Sequence, residues 1–193
     1  MRVIALILVT SVASDAASAE MPVFTADGWH TWRVSATEIG ADRCCFEWYS
    51  GEARRTACDL DSRHVSFGSS DNVIDESAMI QVYALVQDGD VSKIRALSSQ
   101  CPVTTKTDVA DMGFVESDDS IRWLENFVAP RTKMSTHALA AISVHGGANS
   151  LNMLVDVAQH DTSLENRKDA VFWLVQTESE QAFAYIERLL GDT

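Results

Sequence analysis

The stretch AMIQVYALVQDGDVSKIRAL, residues 78–97, sets two alternating apolar runs on either side of Asp88-Gly89. Successive side chains of a strand point to opposite faces, so Ile80, Val82, Ala84 and Val86 share one face. Asp-Gly readily takes the positive φ angles of a two-residue hairpin turn. The pattern therefore predicts an antiparallel hairpin, with Val91, Ile94 and Leu97 on the returning strand. Upstream, WHTWRVSAT (29–37) predicts another half-buried strand with Trp32, Val34 and Ala36 on its inner face. Residues 52–75 are polar and turn-rich, and FGSSDN (67–72) is not expected to be regular structure.

Near residue 112 the period changes from two to that of a helix. Five helices are expected near 117–128, 135–145, 148–159, 164–176 and 179–190. Ser117, Thr162-x-x-Glu165 and Thr177-x-x-Glu180 supply start signals, the last two as capping boxes. Pro130 ends the first helix, and Gly146-Gly147 separates the second from the third. The expected fold class is α+β: an antiparallel β unit stapled by disulfides over residues 20–112, then a short helical solenoid over 113–193.

The helices repeat. At an offset of 32, Ala138, Leu139, Ala141 and Ile142 fall on Ala170, Val171, Trp173 and Leu174, and Leu151, Met153 and Leu154 on Phe183, Tyr185 and Ile186. At an offset of 30, SIRWLENFV (120–128) lies over SLNMLVDVA (150–158). About two and a half hairpins result, and stacking is how such units bury apolar faces that none can bury alone. ALAAISVHGGANSLNMLVDVAQHDTSLENRKDAVFWLVQ (138–176), with its Arg167/Lys168-x-Ala170-x-x-x-Leu174 segment, resembles bacterial HEAT-like repeats of the phycocyanobilin-lyase type. The whole layout is similar to exported bacterial HEAT-repeat-domain proteins. That resemblance implies a protein-binding solenoid and not lyase activity, since such repeats serve many unrelated proteins.

Compartment is read from MRVIALILVTSVASDAASA, residues 1–19. One early cation at Arg2, an apolar run from Val3 to Ala13 and Ala17-Ser18-Ala19 make a cleavable secretory signal peptide. The run is shorter than the roughly 20 residues of a spanning helix, so a periplasmic or secreted protein without membrane insertion is expected. Removing Arg2 and Asp15 leaves 14 of 15 basic and 27 of 28 acidic residues, so the net charge stays at −13. Clustered lysine and arginine, which phosphate binding requires, are missing from both halves, which argues against nucleic acid.

Cys44, Cys45, Cys58 and Cys101 are an even set in an exported chain, which points to disulfides. Neighbouring residues on a strand face opposite ways, so Cys44 and Cys45 reach different partners. Two pairings remain open: Cys44–Cys58 with Cys45–Cys101, or Cys45–Cys58 with Cys44–Cys101. Zinc spacing and C-x-x-C are both absent, so no metal or cofactor is expected.

His30, His64, His137, His145 and His160 form no recognisable metal or nucleophile motif, and no catalytic residue is assigned. His160-Asp161 reads as a turn pair. Arg54, Arg55, Arg63 and His64 stand out against the acidic background as a weak partner-binding cluster, with Asp59 and Asp61 close enough in sequence to neutralise it. All five tryptophans, Trp29, Trp32, Trp48, Trp123 and Trp173, are expected in the core. The function that fits is an exported, non-enzymatic module that binds another envelope or secreted protein. The alternatives are a metal- or thiol-redox-active periplasmic protein using the four cysteines, and a small secreted hydrolase.

Overall fold

Strand β1 (Gly28–Ser35) has apolar and aromatic side chains on both faces, and the computed structural model places it inside a four-stranded sheet. The structure describes residues 21, 23–37, 40, 43–62, 67–68, 79–128 and 132–191; residues 1–19, expected to be a leader sequence, lie outside them. The other strands are β2 (Cys44–Tyr49), β3 (Glu52–Thr56), β4 (Cys58–Asp59), β5 (Phe67–Gly68), β6 (Met79–Gln87), β7 (Asp90–Ser98), β8 (Val103–Thr104) and β9 (Val109–Phe114). The central sheet has the order β7-β6-β1-β9, antiparallel except where β9 runs parallel to β1.

The β6–β7 hairpin forms where the Asp-Gly pair requires it. Asp88 and Gly89 have φ of 54° and 82°, and Gln87 pairs with Asp90. Both turn amides donate to the Asp27 carboxylate, at 3.0 and 3.1 Å. The returning strand carries Val91, Ile94 and Leu97, as expected. Ile94 and Leu97 are three residues apart and so lie on opposite faces, in two different apolar clusters.

Those two clusters make three layers. On one face, Trp32, Val34, Ile80, Val82, Ala84 and Ile94 pack against the helices; on the other, Trp29, Tyr83 and Leu97 meet Leu60 and the four half-cystines. β1 is therefore covered on both sides, not half-buried. The expected boundary between residues 112 and 113 falls inside β9, and one core runs from the sheet into the helices.

The helices that follow the sheet, among the described residues, are α1 (Ser117–Glu125), α2 (Ser135–Ile142), α3 (Ala148–His160), α4 (Leu164–Gln176) and α5 (Glu180–Gly191). The mixed α+β class and the five helices match expectation; the caps differ. Ser163, not Thr162, caps α4 by accepting from the Asn166 amide at 3.3 Å. Ser179, not Thr177, accepts from the Ala182 amide ahead of α5, while the Thr177 hydroxyl closes α4 on the Leu174 carbonyl. In both places the hydroxyl that reaches the free amide three residues on sits closer to the first turn than the capping-box spacing suggested. Ala138 with Ala170, and Ile142 with Leu174, are equally buried across the 32-residue offset, whereas Leu151 is half-buried and Phe183 exposed.

Candidate functional site

The two disulfides are Cys44–Cys101 and Cys45–Cys58, with Cα separations of 5.5 and 5.2 Å. Neighbouring residues on β2 are thus tied to opposite sides, Cys44 to the turn after β7 and Cys45 to β4. In the chain-entropy view, closing the 57-residue separation is worth about 4 kcal/mol and the 13-residue one about 3 kcal/mol. All four sulfurs are buried, so the pair acts as a fixed base.

From that base rises a hairpin that the composition of 52–75 did not reveal. Ser50 and Gly51 take φ of 52° and 86°, a two-residue turn, and β3 returns along β2 with Trp48 opposite Ala53 and Tyr49 opposite Glu52. Adding a side chain at Gly51 meets no neighbour, so only its positive φ calls for glycine. The aromatic side chains at the tip are open to solvent: Trp48 is 76% and Tyr49 63% exposed, which removes Trp48 from the expected core. Trp29 and Trp32 are buried; Trp123 and Trp173 are half-buried against the core.

Alternation sorts the hairpin into two faces. One carries Glu47, Tyr49, Glu52 and Arg54; the other carries Phe46, Trp48, Ala53 and Arg55. On the first, the Arg54 guanidinium lies 4.9 Å from the Tyr49 ring centroid and 3.8 Å from Glu52. At this exposure such contacts orient the arginine more than they stabilise the fold. Of the four cluster residues expected from the sequence, Arg54 and Arg55 are brought to this arm; Arg63 and His64 lie outside the described residues.

Among the described residues Asp61 is engaged by groups outside that cluster. Its carboxylate accepts from Trp29 Nε1 at 3.0 Å, from the Lys106 amide at 2.7 Å and from Thr105 Oγ1 at 3.4 Å. The Trp29 bond, then the Lys106 amide, hold its pKa below the usual carboxylate range. Asp59 meanwhile accepts from the Asp61 amide at 2.9 Å. Arg43, next to Cys44, is buried; it donates to the Ala140 carbonyl at 3.0 Å and lies 4.9 Å from the Trp173 ring centroid. Burial lowers its pKa to about 10, so it stays charged at neutral pH. It joins the cysteine segment to α2 and α4.

A serine and a histidine meet elsewhere with the spacing of a nucleophile and its base. Ser120 Oγ lies 2.8 Å from His145 Nε2, whose Nδ1 is 2.8 Å from the Ala141 carbonyl. Both residues are 0% exposed, and Ser120 also accepts from Trp32 Nε1 at 2.8 Å. Burial lowers the His145 pKa to about 4, so the ring is neutral, with Nδ1 protonated towards the carbonyl and Nε2 accepting from the serine. The chain of bonds ties β1, α1 and the end of α2 together and leaves no path for a substrate to the hydroxyl.

Among the described residues no group of three His, Cys, Asp or Glu side chains could hold a metal, and all four thiols are in disulfides. His160 ends α3 with Nδ1 2.9 Å from Asp156, while Asp161 accepts from the Ser163 amide at 2.7 Å, as a turn pair does. Also among the described residues, no helix is long and apolar enough to cross a membrane. The chain matches no protein-family model, no curated protein and no solved structure.

Proposed function

We propose that the protein is an exported, non-enzymatic interaction module, periplasmic or secreted, whose β2–β3 arm contacts another protein of that compartment. The exposure of Trp48 and Tyr49 at the tip of a hairpin anchored by two buried disulfides carries this reading. Large aromatic side chains with few rotatable bonds are favoured at binding hot spots because they offer wide contact area at low entropic cost. Anchoring the base lowers the ordering cost further. The disulfides also fit an oxidising, extracytoplasmic compartment. In this reading the helices, a short HEAT-like stack, fix the sheet that carries the arm.

The test is retention of envelope proteins on the immobilised protein, comparing wild type with Trp48→Ala/Tyr49→Ala. A protein held by wild type and lost from the double variant, with the thermal midpoint unchanged, is the expected result. Equal retention by both would remove the arm from the function.

A further inference from the structure

We propose that two copies of this chain pair through the outer face of α4, helix against helix and antiparallel. The surface shares no residue with the arm, so the inference goes beyond the reading above and does not rest on it.

On α4, Leu164, Lys168, Phe172 and Val175 form one row at helical spacing. Leu164 and Phe172 are each 54% exposed and Val175 is 40% exposed. The other sides of the helix pack on α2, α3 and α5, with Asn166, Ala170 and Leu174 buried. Across the 32-residue offset, Phe172 and Val175 correspond to Ala140 and Ser143 of α2. There the side chains are small, Ala140 half-buried and Ser143 buried, because α2 lies against β7 and Arg43 donates to the Ala140 carbonyl at 3.0 Å. In α4 the same two positions are large, apolar and open. A contiguous apolar row of this kind, replacing residues that its sister helix keeps small, is the mark of a surface with a partner outside the chain.

The occupant that fits this row is the row itself. Set antiparallel about a two-fold axis near residue 170, Leu164 meets Val175 of the second copy and Lys168 meets Phe172 of the second copy, and each contact occurs twice. Apolar ends meet apolar ends; at the centre a lysine stem and its ammonium lie against an aromatic ring. Charge selects the same occupant. Two copies of net charge −13 repel each other over most of their surfaces, so close approach costs least where the surface is locally neutral. Along this row Lys168 is paired with Glu165 at 3.1 Å, and the row carries no net charge. An isologous contact occupies the patch on both copies at once, so assembly closes at a dimer. A single helical row makes a small interface, and dissociation roughly in the micromolar range is expected.

Sedimentation equilibrium tests this, from micromolar to about millimolar protein, on wild type, Phe172→Glu, Val175→Glu and the arm variant Trp48→Ala/Tyr49→Ala. Phe172 and Val175 are exposed, and an unchanged thermal midpoint verifies that their variants fold. The expected results are a wild-type dimer, association roughly tenfold weaker or more for each glutamate variant, and an arm variant that dimerises like wild type. The register is read by mild oxidation of Lys168→Cys mixed with Phe172→Cys, the native cysteines being all in disulfides. Cross-linked heterodimer should form faster in the mixture than homodimer forms from either variant alone. A wild type that stays monomeric overturns the proposal, as do glutamate variants that associate like wild type, mass that climbs past a dimer, or an arm variant that is monomeric. Cross-linking no faster in the mixture than in its components overturns the antiparallel pairing.

Discussion

The two faces of the central sheet are held by different means. The helical face buries a continuous set of side chains from Trp32 and Val34 to Leu154 and Leu174, with no covalent link. Among the described residues, the opposite face has a smaller apolar cluster, four of whose eight buried members are cysteines. Where apolar volume is sufficient, packing fixes the layer; where it is not, cross-links stand in for it. The arm follows from this division, because the stapled layer can hold a hairpin upright without covering its tip.

The largest effect is expected on the packed face. Trp32→Ala should cost about 5 kcal/mol, from emptying a large buried site and from depriving Ser120 of its indole donor; a chemical-denaturation midpoint reads it. Next, the Cys44→Ala/Cys101→Ala variant should lose about 4 kcal/mol, and Cys45→Ala/Cys58→Ala about 3 kcal/mol, with the order following loop length. Equal losses would show that native contacts, not chain entropy, set the strength of the staples.

Acid should separate the faces again. His145 has a folded pKa near 4, below the 6.5 of an unfolded histidine, so between those values the unfolded chain binds the extra proton. The stability that neutral His145 supplies is complete above pH 6.5 and declines by about 3 kcal/mol as pH falls to 4. His145→Asn should therefore lose less stability than wild type between pH 7 and pH 4, whatever the carboxylates add to both. The smallest effect belongs to the tip: Trp48→Ala should change stability by less than about 0.5 kcal/mol.

Elements with a period written in their side chains were legible in advance. The five helices, the Asp88-Gly89 hairpin and the inner face of Trp32 and Val34 follow from spacing alone. The pairing of Cys44 with Cys101 did not, because alternation says only that the neighbours diverge. β3 was hidden because both of its faces at Glu52–Arg55 are exposed, so no apolar alternation marks it; Ser50-Gly51 was the available signal. Trp48 departs from expectation because hydrophobicity alone does not fix burial. On a hairpin end with Trp48 and Tyr49 on opposite faces, both can be buried only if something covers each side. The relay of Trp32, Ser120 and His145 joins positions 88 and 25 residues apart, a distance over which no local pattern speaks.

One peptide bond separates the two half-cystines of β2, at the root of the arm's first strand. A load applied at Tyr49 runs down the strand and divides at Cys45 and Cys44, one branch passing through sulfur to β4 and the other to the turn after β7. Neither branch relies on the hydrogen bonds of β3 or β5, which can part while the root stays in place. The arm is thus a lever with a welded fulcrum, and traction at its tip is carried directly into the centre of the molecule.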